Sequence, residues 1–208
     1  MQRVAYLNLI WILLWGSCSS NKDEALSKAE LIRYINDKKS GLVQAHKVNG
    51  INVTLTYQPS SFFVAQEMQT MPVTDSLQKL TLEKKYDNYY YFRLKFSKNG
   101  REAIRQLGGF NDYSKMVQVL SFQMNRYVSL ITSPQRDTVE LSDYLFDQTY
   151  GMSDGSNLLL CFDKNKMKES DFFDINIDEC GFGTGALKFR IRKSDIAKVP
   201  RLDYSKSL

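Results

Sequence analysis

Hydrophobic and polar positions along this chain change period several times, and each change marks an element. Between residues 24 and 37, Leu26, Ala29, Leu31, Ile32 and Ile35 recur near helical spacing, and Ser40-Gly41 closes the segment. From 51 to 57 the period drops to two. Ile51, Val53, Leu55 and Tyr57 alternate with Asn52, Thr54 and Thr56, the pattern of a half-buried strand. Residues 42–47 form the preceding strand, and Asn49-Gly50 joins the two as a hairpin, because both residues tolerate the positive φ that a two-residue turn demands. Pro59 stops the second strand, and Ser60 is placed to cap a short helix reaching Gln69.

Residues 77–85 fit a helix or a strand, whereas 89–97 alternate as a strand. Tyr90, Phe92, Leu94 and Phe96 share one face, assigned to the core; Tyr89, Tyr91, Arg93 and Lys95 share the other. After an Asn99-Gly100 turn, 101–107 predict a short helix ended by Gly108-Gly109. Asp112 then caps an amphipathic helix over 113–127, whose stripe of Tyr113, Met116, Val117, Leu120, Met124 and Tyr127 is read as core packing. Strands follow at 128–132, 138–150, 157–162, 173–177 and 186–192, with a last turn at 195–198 before Pro200. This order predicts an α+β fold, a mainly antiparallel sheet with several amphipathic helices. The alternative is a β-sandwich of the C-terminal strands with an α+β N-terminal half appended. With no internal repeat or low-complexity linker, residues 25–208 are taken as one globular domain.

The first residues follow a different pattern. Arg3 precedes an apolar run over 4–15, and Gly16-Ser17 place two small residues before Cys18. That run, broken by Asn8, is shorter than the roughly 20 apolar residues a membrane-spanning helix needs, and it has the layout of an export signal. Leu14-Trp15-Gly16-Ser17-Cys18 resembles the processing site of bacterial lipoproteins, with Trp15 where an aliphatic residue is usual. Lys22-Asp23-Glu24 is similar to the acidic export tag of Bacteroidota-type surface lipoproteins. The resemblance covers only these residues. It implies that 1–17 is a signal peptide, that Cys18 carries lipid, that 18–24 is a tether, and that the membrane partner is the outer membrane of a cell envelope.

Charge narrows the partners. The 28 basic and 23 acidic residues are interspersed, and removal of Arg3 lowers the net charge from +5 to +4. A nucleic-acid protein would show a one-sided basic run, so nucleic acid is not expected; the small excess suits an anionic lipid or glycan surface. With Cys18 lipidated, Cys161 and Cys180 remain. They are candidates for a disulfide in an oxidising compartment, although Cys161, inside Leu158-Leu159-Leu160-Cys161-Phe162, also suits a buried free thiol.

Candidate chemistry is sparse. Two cysteines and the single His46 give no zinc spacing, and neither a metal nor another cofactor is expected. Asp174-Ile175-Asn176-Ile177-Asp178 matches the start of an EF-hand loop, but Glu179 replaces the required Gly and Gly185 the bidentate Glu. These carboxylates are therefore read as surface groups. Gly181-Phe182-Gly183-Thr184-Gly185 lacks phosphate-loop spacing and precedes a strand, which predicts a hairpin connection. No Gly-x-Ser-x-Gly elbow accompanies the lone histidine. The feature with binding chemistry is the Tyr89, Tyr91, Arg93 and Lys95 face, where aromatic rings stand beside cations; the alternative is that a helix of the same domain covers these tyrosines, or that they are ordinary strand formers on a solvated face. The first functional reading is an accessory or structural envelope lipoprotein that docks with another envelope protein. The second is a surface glycan- or peptide-binding lipoprotein using that face; the third is a hydrolase whose carboxylates cannot be picked out by spacing.

Overall fold

A computed structural model of the protein describes residues 25–71, 75–167 and 169–206; residues 1–24, with the expected signal segment and Cys18, lie outside them. The described chain forms two antiparallel sheets. The larger has the order β1 (Val43–Val48), β2 (Ile51–Gln58), β3 (Tyr89–Lys98), β8 (Ser156–Asp163) and β7 (Asp143–Asp147), with the short β4 (Arg101–Glu102) paired to the end of β3. The smaller has the order β10 (Leu187–Arg192), β9 (Phe172–Ile177), β5 (Val128–Ser133) and β6 (Thr138–Glu140). The fold is α+β, as the period changes predict.

The sandwich alternative divides the chain in the wrong place. β7 and β8 leave the C-terminal strands and join the N-terminal hairpin, because the apolar face of β8 pairs in register with that of β3: Phe92 lies opposite Leu160, and Leu94 opposite Leu158. The two sheets meet at one side, where the Gln44 side chain accepts from the Arg190 N–H at 3.0 Å and donates to the Arg190 carbonyl. His46 Nε2 lies 3.0 Å from the Lys188 carbonyl, with its ring edge-on to Phe189. At the other side β6 runs almost directly into β7. Between the sheets lie Leu55, Phe92, Phe96, Leu160, Phe173 and Phe189, all fully buried, and the Phe96 and Phe182 rings stack at 4.6 Å.

Local chemistry sets the boundaries. Helix α1 (Lys28–Asn36) starts later than the apolar period, because Ser27 and Glu30 form a reciprocal capping box there. The Asn49-Gly50 and Asn99-Gly100 hairpins have the expected positive φ values of 50°, 80°, 51° and 70°. Helix α2 (Ser60–Thr70) is preceded by Pro59 and has no side-chain cap; Ser60 Oγ instead donates to Asp87 at 2.6 Å. The ambiguous segment is helix α3 (Ser76–Asp87), where the Asp75 carboxylate accepts from Leu77 N–H. Residues 101–107 give β4 and a 3₁₀ turn rather than a helix. Helix α4 (Phe110–Phe122) begins at Gly109, so Asp112 sits in its first turn instead of capping it, and a 3₁₀ turn takes up Met124–Arg126. The predicted strand over 138–150 breaks into β6 and β7. A single helical turn, α5 (Lys193–Ile196), precedes the C-terminal segment.

Candidate functional site

The two faces of β3 are covered differently. On the inner face Phe92, Leu94 and Phe96 are fully buried, while Tyr90, at the strand end, is half-buried against Phe173 with Lys164 over its ring. The outer face carries Tyr89, Tyr91, Arg93 and Lys95, and these four have different surroundings. Tyr91 is only 7% exposed, because Phe63 of α2 packs on it at 4.4 Å and Tyr86 of α3 lies at 6.5 Å. Tyr91 thus lies on the outer face, as alternation predicts, but α2 and α3 fold over it. Tyr89 is half-buried beside it, with ring centroids 6.2 Å apart. Lys95 is paired to Asp154 at 2.7 Å, in the loop before β8. Arg93 is exposed, and its Nη2 donates to Gln58 Oε1 at 2.9 Å.

Arg93 stands in a hollow of about 360 Å³ between α1 and α2 on one side and β7 on the other, within the size range of small-ligand sites. Gln58, Asn157 and Leu159 line it from the sheet, and Ile32, Phe63 and Leu145 from the flanking elements. A second hollow of about 460 Å³ shares Leu145 and Leu159 and is lined by Tyr86, Tyr89, Tyr91 and Tyr144. Together they form one trough, aromatic at one end and holding Arg93 at the other. Lys28 and Asp147 lie at the Arg93 end, and Asp143 and Cys161 at the tyrosine end. The structure thus brings Tyr89, Tyr91 and Arg93 together along the trough and leaves Lys95 outside its lining. Sequence reasoning missed Gln58, Asn157, Leu159 and Leu145. The one available signal was Leu145, a large apolar residue on a strand that turns out 65% exposed.

The remaining candidates resolve into structural roles. Cys161 and Cys180 are both free thiols rather than a disulfide pair. Strand alternation turns Cys161 into the trough beside Tyr91, whereas Cys180 is buried in the core. Burial, reinforced by Asp143 and Asp163, pushes the Cys161 thiol up to about 12, so it is protonated and a poor nucleophile near neutral pH. Asp174 is not a surface carboxylate. Its side chain is 7% exposed and accepts from Arg190 Nε at 2.7 Å and Nη2 at 2.8 Å, with Lys188 Nζ at 2.7 Å. The Arg190 hydrogen bonds, joined by those of Lys188, hold its carboxyl below the usual range.

The glycine-rich segment does connect β9 to β10, and it is an anion cradle filled from within. Glu179 Oε1 accepts from the Gly181 and Gly183 N–H groups at 2.7 and 2.8 Å, and Oε2 accepts from Gly185 N–H at 2.6 Å. Burial raises the Glu179 pKa, but these backbone donors more than offset it and leave the carboxyl below its ordinary value. His46 belongs to the seam between the sheets. Among the described residues no group of three His, Cys, Asp or Glu side chains could hold a metal ion.

No family model matches the chain, and no curated protein matches it. Among solved structures, that of a protein of unknown function from Burkholderia pseudomallei K96243 aligns with 88% of this chain and 96% of its own, at 10% identity and a TM-score of 0.38. A likeness of that strength carries no inference about fold or function.

Proposed function

We propose that this is a lipid-anchored binding protein of the bacterial envelope, held by Cys18, that takes a glycan segment in the trough over β3, β8 and β7. The observation that carries this reading is the union of tyrosine rings with the exposed Arg93 guanidinium in one elongated hollow. A sugar ring has C–H faces that pack on aromatic rings and hydroxyls that both donate and accept. Tyrosine supplies the aromatic face with a polar tip. Arg93 commits one N–H to Gln58, which orients a guanidinium carrying five donors. Hydrolysis is poorly supported: the acids lining the trough, Asp143 and Asp147, stand at the two ends of β7. Four residue steps of strand separate them by roughly 13 Å, beyond the ~5–9.5 Å of paired glycosidase carboxylates.

Calorimetric titration with envelope and host oligosaccharides tests the proposal, using the chain from residue 19, which lacks the apolar run and Cys18. Arg93→Ala is expected to weaken binding about 10- to 100-fold, the range for a hydrogen bond to a charged group. Binding of peptides alone, or glycan affinity unchanged by both Arg93→Ala and Tyr89→Ala, would overturn it. A second reading, docking with another envelope protein, is favoured by a different observation. Phe110 and Phe122 of α4, and Met152 in the loop before β8, are 81%, 78% and 86% exposed, and such apolar surface marks interaction sites when contiguous.

A further inference from the structure

We infer that the outward side of α3 lies against the bilayer next to the lipid anchor, so that the domain is held at the membrane by a surface as well as by acyl chains. The inference rests on the reading of Cys18 as the lipidated residue. None of the described side chains of α3 is buried. Leu77 and Leu80 are 67% and 46% exposed, and Met71 at the end of α2 is 58% exposed. Leu77, Leu80 and Lys84 fall at i, i+3 and i+7, one stripe of the helix that pairs apolar groups with a cation. The helix as a whole is not amphipathic; the contact is limited to these two leucines and Met71, with Lys84 beside them to meet the headgroups, and no described helix is long and apolar enough to cross a membrane.

The tether decides what faces this stripe. Seven residues from Cys18 to Ala25 reach at most about 25 Å when fully extended, so Ala25 stays within that distance of the bilayer surface. Ala25 lines the same hollow as Lys79 and Glu83 of α3 and Tyr204 of the C-terminal segment. The start of the fold is pinned there: Leu26 N–H donates to the Arg201 carbonyl at 2.8 Å, Asp203 N–H donates to the Leu26 carbonyl at 2.8 Å, and Lys79 Nζ sits 4.5 Å above the Tyr204 ring. The anchor therefore leaves the domain beside α3. Lys84 and Arg201, both exposed, add positive charge to this side and complement anionic headgroups; Lys85 is already paired with Glu67.

The chain offers a clean reporter, since its two tryptophans, Trp11 and Trp15, both lie in the signal segment. The mature protein, which begins at Cys18 and so lacks both, is produced with Leu80→Trp, Leu77→Trp or, as a control on α4, Phe122→Trp. Each is placed in phosphatidylethanolamine–phosphatidylglycerol vesicles with brominated acyl chains. Tryptophan at 80 or 77 is expected to shift to shorter wavelength and to be quenched several-fold more than tryptophan at 122. Equal quenching at all three positions, or quenching at 122 alone, overturns the inference. The mass of the Cys18 peptide shows separately whether that residue is acylated. If it is not, the anchor reading fails. The same reporters, on a chain from residue 19 held to chelating lipid by an N-terminal histidine tag, then decide the α3 contact by the same criteria.

Discussion

Glu179 and Asp174 show how much a single carboxylate depends on partners that its neighbours in sequence do not reveal. Both belong to a stretch that looks like the beginning of a calcium loop, yet one is wrapped by the backbone of the β9–β10 connection and the other is clamped across the β9–β10 ladder. The Asn-Gly turns were legible because those residues encode a backbone angle directly. The role of Asp174 was not, because Lys188 and Arg190 reach it only once the hairpin has paired. Replacing Glu179 with Gln turns one acceptor oxygen into a donor facing N–H groups, and thermal melts should show a loss of about 1–3 kcal/mol. Acid should act on both groups. Each has a native pKa below its unfolded value, so its contribution is fully present above the unfolded carboxylate range of about 3.9–4.3 and is lost as pH falls through the lower native value. Melting temperature is therefore expected to drop below about pH 4. Asp174→Asn should flatten that drop, and an equally steep acid limb in the variant would remove Asp174 from the account.

At the scale of elements, β3 is a strand packed from both sides. Period-two alternation revealed both faces and the fully buried trio Phe92, Leu94 and Phe96, but alternation does not say which second layer will cover the other face. That layer is α2 and α3, whose apolar residues are spread around the helices rather than gathered on a single stripe, so nothing local pointed to Phe63 resting on Tyr91. The allocation of strands between sheets was illegible for a related reason: β8 is a continuous apolar run that names no partner, and only its match to β3 assigns it. Tyr91→Ala is expected to cost about 3 kcal/mol or more, by loss of a buried aromatic side chain. Tyr89→Ala, at the half-buried strand end, should cost under about 1 kcal/mol. Urea midpoints of the two variants measure the difference, and a reversed order would mean that the helices do not cover Tyr91.

At the scale of the whole molecule, the fold places two different surfaces on offer: an aromatic trough on the larger sheet and the exposed apolar groups of α4 with its neighbouring loop. The proposed export signal rests on a few consecutive residues, whereas the trough was not legible, because its walls come from α1, α2, β7 and β8 and converge only on folding. The measurement that bears most directly on the central claim is site-specific photo-crosslinking of the anchored protein in cells, with a benzophenone amino acid at Leu145 in the trough or at Met152, in the loop whose Gln148 donates to Ser121 of α4. The account predicts carbohydrate-bearing adducts from position 145 that disappear when Arg93 is changed to Ala. A position 145 that captures nothing, together with one dominant protein adduct from position 152, would contradict it and make α4 the working surface.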